Sequence, residues 1–139
     1  MSLLGLASLS GLASRREEFW IWQRLGGLRI YRRGRRLEQY VYRITGDGRF
    51  AKDYGLRDQI RRASVSIMAN IAEGFARRSD KDFAYFLNIS RSSAAEVQSH
   101  LYVALDQEYV NEIDFNEIYN GIEETSKMIF ALARHLAAR

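Results

Sequence analysis

The feature that most limits what this chain can fold into is a four–three step of apolar residues, written four times over without one proline. Ile30, Gly34, Leu37, Val41 and Ile44 carry it first. Leu56, Ile60, Ala63, Ile67 and Ile71 carry it next, then Phe83, Leu87, Ser90, Ala94, Val97, Leu101 and Ala104. Phe115, Ile118, Ile122, Thr125, Ile129, Leu132 and Leu136 complete the set. That period puts one stripe on one face of a helix and cannot sit still in a strand. The breaks between the stripes are short. Gly46-Asp47-Gly48 ends the first helix, and residues 46–54 read as a loop. Ser79 with Asp82, and Asp114 with Glu117, have the spacing of helix N-caps. The second helix is expected from about Leu56 to Arg77, the third from Ser79 to about Glu108, and the fourth from Asp114 onward. Short connections make consecutive helices neighbours. The predicted fold is therefore all-α, an antiparallel up-down four-helix bundle over residues 28–139.

Residues 1–27 read as an N-terminal extension. Residues 1–14 are small and uncharged, and Arg15-Arg16 follow them rather than precede them, against the order of a signal peptide. Phe19, Trp20, Ile21 and Trp22 favour a short docked helix, with Gly26-Gly27 ending it. Residues off the main stripes are also apolar: Val65, Met68, Ala72 and Phe75 on the second helix, and Tyr85, Phe86, Ile89 and Tyr102 on the third. A second stripe predicts a second buried surface, most simply a subunit interface, and so a homo-oligomer.

Several chemistries have no support. The chain has no Cys, which removes disulfides and thiolate sites. Its two His are far apart; His100 has Glu96 one turn away but no third ligand, and His135 stands alone. Ser92 and Ser93 have no matching His–Asp pair. No apolar run reaches the roughly 18 residues of a membrane span. The expectation is a cytoplasmic, non-enzymatic protein with no cofactor.

Charge is unevenly placed. Residues 1–62 hold 14 Lys and Arg against 6 Asp and Glu; the remainder hold 7 against 11. The excess is mostly Arg, whose planar fork suits phosphate. Arg29, Arg32, Arg33 and Arg36 share a broad face of the first helix, with Arg35 and Arg43 beside it. Arg57, Arg61 and Arg62 open the second. These residues are candidates for nucleic-acid binding, with Tyr31, Tyr40 and Tyr42 placed to stack on bases. The competing reading is a solvated face, or ion pairs with the Glu-rich fourth helix. Within the second helix, Asn70, Glu73 and Gly74 are odd choices. Gly costs about 1 kcal/mol against Ala there. The expected compensation is close approach of a neighbouring helix or backbone at Gly74. Asn70 and Glu73 would hydrogen-bond across helices or subunits, to Arg61, Arg62 or Arg91.

Ordered pieces of this sequence carry a family resemblance. They are Tyr54-Gly55-Leu56, Gln59-Ile60-Arg61-Arg62-Ala63, Val65-Ser66-Ile67 and Asn70-Ile71-Ala72-Glu73-Gly74, followed by Ser79-Asp80-Lys81 and Arg91-Ser92-Ser93 with Glu96. From Leu28 onward the chain resembles the bacterial four-helix-bundle proteins of 23S ribosomal RNA intervening sequences. That family includes the accessory variability protein of diversity-generating retroelements. The resemblance implies a homopentameric ring, binding of RNA or DNA, association with a reverse transcriptase in the retroelement branch, and no enzymatic activity. Met68 stands where the family usually has Pro, so a kink in the second helix is not expected. Tyr31-Arg32 stand where it has Trp-Gln, and residues 1–24 have no counterpart.

Overall fold

The computed structural model describes the backbone of residues 15–139 and the side chains from residue 26 onward. Every secondary-structure element among the described residues is a helix, and none is a strand. Helix α1 is Arg15–Ile44, α2 is Gly48–Lys52, α3 is Tyr54–Phe75, α4 is Asp80–Asp106 and α5 is Glu112–Ala137. The long helices form one bundle: α3 packs on α4, α4 on α5, and α1 on both α3 and α5.

Helices α3, α4 and α5 each start on a polar cap. Asp53 Oδ1 accepts the Leu56 N–H at 3.2 Å, Ser79 Oγ accepts that of Asp82 at 3.1 Å, and Asn111 Oδ1 accepts that of Asp114 at 2.7 Å. Each bond satisfies one of the donors a helix leaves open at its start. The Ser79 cap is the one the spacing predicts. The cap of the last helix lies three residues earlier than expected: Asn111 caps it, and Asp114 lies inside its first turn.

Two further differences concern α1 and the following loop. The double glycine does not end a helix: Gly26 and Gly27 lie inside α1. A Cβ on Gly27 would stand 3.0 Å from both Phe75 and Phe83, so glycine there serves contact between helices. The expected loop at 46–54 contains α2, whose Phe50 is buried and lies 5.3 Å from the Tyr109 ring. Of the extension expected at 1–27, residues 1–14 and the side chains of Phe19, Trp20, Ile21 and Trp22 lie outside the described residues and side chains, while the backbone of 15–27 belongs to α1.

The stripes read from sequence form the core. Val41, Ile60, Ile71, Leu87, Val97, Leu101, Ala104, Ile118 and Ile129 have no exposed surface. Removing such apolar area from water contributes about 25 cal/mol per Å². The neighbour expected at Gly74 is there: an added Cβ would lie 2.9 Å from Phe83 Cδ1 and from Phe86 Cβ. Serines complete this interface. Ser90 Oγ donates to the Ile67 carbonyl at 2.7 Å, and Ser66 Oγ lies 2.8 Å from Ser93 Oγ. Helix α3 continues unbroken through Met68, as the absence of Pro there predicts.

The second stripes divide. Met68, Phe75, Phe86 and Ile89 are half-buried, whereas Val65, Tyr85 and Tyr102 stay exposed. Phe130 on α5 is exposed as well.

Candidate nucleic-acid interface

Helix geometry sets out the arginines of α1. At 3.6 residues per turn, Arg29, Arg32, Arg36 and Arg43 fall within about 60° of one another over about 21 Å of axis. All four are exposed. Among the described residues no carboxylate forms an ion pair with any of them. Arg35 is exposed beside them, and Arg62 on α3 is likewise exposed and unpaired by a carboxylate.

The other three candidate arginines are tied to the protein. Arg33 points toward α5, where Nη2 lies 2.9 Å from Glu124 Oε2 and Nε donates to Thr125 Oγ1 at 3.2 Å. This is the ion pair with the Glu-rich helix that the competing reading foresees, at one residue. Arg57 donates to Asp58 Oδ1 and to the Ala51 carbonyl, both at 3.0 Å. Arg61 donates from Nε to Thr45 Oγ1 at 2.8 Å and from Nη2 to the Thr45 carbonyl at 3.3 Å. Thr45 is fully buried just past the end of α1, so Arg61 serves polar groups that water cannot reach.

Four arginines cover tyrosine rings near α2. Arg43 lies over Tyr40 at 4.4 Å, Arg61 over Tyr42 at 4.5 Å, Arg57 over Tyr54 at 4.8 Å and Arg49 over Tyr109 at 5.3 Å. Such contacts contribute roughly 0.5–1 kcal/mol at exposed sites. The Tyr40 hydroxyl donates toward Glu117 Oε2 at 2.8 Å and Asp114 Oδ1 at 3.0 Å. Burial, then these two acids, push its pKa up to about 12. The Tyr109 hydroxyl donates to Asp53 Oδ2 at 3.0 Å, and that bond holds the proton and raises the phenol's pKa. Beside these rings an open recess of ≈ 590 Å³ is lined by Arg49, Lys52, Asp53, Tyr54, Gly55 and Tyr109. Sequence reading passed over Arg49, Lys52, Tyr54 and Tyr109. For Arg49, Lys52 and Tyr54 the signal was the alternation of basic and aromatic residues in Arg49-Phe50-Ala51-Lys52-Asp53-Tyr54, inside the stretch expected to be loop; Tyr109 carries no such signal.

The remaining candidates are internal to α3. Asn70 Nδ2 donates to the Ser66 carbonyl and to Ser66 Oγ, each at 2.9 Å, and reaches α4 only through the Ser66–Ser93 contact. Glu73 is exposed and pairs with Arg77 one turn on. It meets none of the arginines expected within the chain, because its side of α3 faces solvent and an i,i+4 partner is nearest. Arg91 instead lies 4.5 Å over Phe130. His100 Nε2 is 3.7 Å from Glu96 Oε1. The described residues contain no group of three His, Asp or Glu that could hold a metal ion. No described helix is long and apolar enough to cross a membrane.

Comparisons with known proteins fit this geometry into a family. Residues 27–131 match the sequence model of the 23S rRNA-intervening sequence protein. The fold is similar to that of a protein of unknown function from the S23 ribosomal protein family of Bacteroides thetaiotaomicron, with a TM-score of 0.72 and 24% identity. That similarity covers 78% of this chain and 98% of the other. No functionally curated protein matches the sequence.

Proposed function

Because the chain belongs to the 23S rRNA-intervening sequence protein family, we propose that it is a non-enzymatic nucleic-acid-binding protein, with RNA the first ligand and DNA the second. The observation that carries this reading is the row of Arg29, Arg32, Arg36 and Arg43, exposed and without a carboxylate partner among the described residues. Guanidinium groups spaced along one helix face can follow a phosphate backbone, and each contact releases condensed counterions. Contacts of that kind position a ligand without reading its sequence. Arg62 adds to the charge. Arg33, Arg57 and Arg61 act from behind as supports.

The working fold is an antiparallel up-down four-helix bundle over residues 28–139, with α2 as an appendage and residues 1–27 as an extension whose end runs without a break into the bundle's first helix. Copies associate through the apolar side chains left in water, Val65, Tyr85, Tyr102 and Phe130. A closed ring is the form proposed, five-membered as the family resemblance implies. The protein acts in the cytoplasm as a chaperone or docking platform for RNA. In a retroelement setting a reverse transcriptase would be the partner.

A second reading has one observation in its favour: in the Arg33–Glu124 pair one acid of α5 takes one arginine of α1. The chain would then be an assembly module whose arginines meet acids of another copy. Charge reversal at Arg29, Arg32 and Arg36 separates the two. Nucleic-acid binding predicts that RNA affinity and its salt dependence collapse while the mass by light scattering stays the same. Loss of the oligomer would transfer the arginines to the assembly reading.

A further inference from the structure

Arg57 and Arg61 are the two candidate phosphate ligands most fully occupied by the protein, and what they hold is informative. Each is clamped by two hydrogen bonds, Arg57 to Asp58 and the Ala51 carbonyl, Arg61 to both oxygens of Thr45. Each lies over the ring of an exposed tyrosine, at 4.8 Å from Tyr54 and 4.5 Å from Tyr42. Tyr54 is 65% exposed and Tyr42 41%. A guanidinium with fixed hydrogen bonds fixes the ring stacked on it. Arg57 and Arg61 are one turn apart on α3, so the two stacks are adjacent.

We infer that Tyr42 and Tyr54 are base-stacking platforms for unpaired nucleotides, each braced by an arginine. This inference rests on the nucleic-acid reading above and adds the ligand class: single strands rather than duplex. A ring backed by a cation on one face and open to water leaves a surface for a base, and any base can use it. The recess beside Tyr54 supplies Arg49 and Lys52, both exposed, for the attached phosphate. Asp53 does not oppose them freely. One of its oxygens caps α3 and the other accepts from Tyr109.

Phe130 is exposed and has Arg91 over it at 4.5 Å, but the buried Nε of that arginine has no hydrogen-bond partner among the described residues, so the stack is not braced in the same way. Four tyrosines also lack the arrangement. Tyr109 lies between Arg49 and Phe50, at 5.3 Å from each, and serves as a wall. Tyr40 is half-buried with its hydroxyl held by two acids. Tyr85 and Tyr102 are more exposed than Tyr42, but they lean on Phe86 and on Phe115 with Tyr119. An apolar backing of that kind suits a protein surface.

The test uses the full chain and three labelled probes: oligoadenosine, oligouridine, and a blunt RNA duplex with as many phosphates. Tyr42→Leu and Tyr54→Leu keep apolar bulk without a stacking ring, and Tyr42→Phe and Tyr54→Phe keep the ring. By fluorescence anisotropy, each leucine variant should weaken single-strand binding about ten-fold or more while moving duplex binding less than about two-fold. The phenylalanine variants should match wild type. Unchanged single-strand affinity in both leucine variants overturns the inference and leaves the arginine stripe standing. Equal loss on single strands and duplex also overturns it. If the wild-type chain binds none of the three probes at low salt, the nucleic-acid reading fails, and the inference with it.

Discussion

The contact between α3 and α4 and the outer face of α1 both depart from a plain bundle of large apolar residues inside and mixed charges outside, and they do so in opposite ways. At α3–α4 the odd residues are small: Gly74, Ser66, Ser90 and Ser93. Every one meets a named atom of the other helix, whether Phe83 and Phe86, the Ile67 carbonyl, or a second serine hydroxyl. On α1 the odd residues are large and charged, and Arg29, Arg32 and Arg36 meet no carboxylate among the described residues. The α3–α4 residues are accounted for by packing within one chain. The α1 residues contribute little to folding, since charges on an exposed helix face are worth at most a few tenths of a kcal/mol each. The fold does not account for these arginines, and it is to them that the proposed function assigns a ligand.

The contrast can be broken most severely at Phe83, which fills the space against Gly74 and Gly27. Phe83→Ala should lower stability to urea by about 3–5 kcal/mol, the usual loss for a buried aromatic residue. Gly74→Val comes next. Its Cβ would fall at 2.9 Å from two phenylalanine atoms and 3.2 Å from the Phe83 carbonyl, so overpacking should remove about 1–3 kcal/mol. If Gly74→Val is neutral, the close approach of α3 and α4 is not what glycine serves.

Two substitutions on α1 sharpen the other side. Arg33→Ala gives up the Glu124 and Thr125 contacts and should cost about 1 kcal/mol, with little change in the salt dependence of RNA binding. Arg36→Ala should leave stability within about 0.5 kcal/mol. It should also reduce the salt slope by about 0.7–0.9, the value of one phosphate contact. The smallest effect concerns Tyr40. Its pKa is raised from 10.0 to about 12, so the folded state keeps a proton that the unfolded chain releases. That contribution is whole below pH 10 and is lost as pH rises through 12. Tyr40→Phe should therefore flatten the alkaline fall in stability seen by urea unfolding.

Much of the bundle was legible in the sequence because the four–three step survives wherever burial is complete. The Ser79 cap was legible for a similar reason, since a hydroxyl three residues before a helical donor has little else to do. Local signals misled where tertiary contact outweighed them. Gly26-Gly27 reads as a helix end, yet contact with Phe75 and Phe83 keeps Gly27 inside α1. Asp114 and Asn111 offer equivalent caps in sequence; only the path of the chain decides between them. Phe50 could not declare α2, because five residues carry no period. The candidate site was legible as composition but not as partnership. Spacing grouped eight arginines, whereas geometry divides them by what lies opposite. Glu124 takes Arg33 from 91 positions away.

The serine and glycine contacts between α3 and α4 also fix how far one helix can slide along the other. A slip of one turn, about 5.4 Å, would separate Ser66 from Ser93, strand the Ser90 hydroxyl away from its carbonyl, and drive a side chain into the notch at Gly74, all at once. Leucine faces of similar width would tolerate several offsets. This hairpin therefore has a single register, and α1 and α5 can change their outward sequence around it without shifting the frame on which they are mounted.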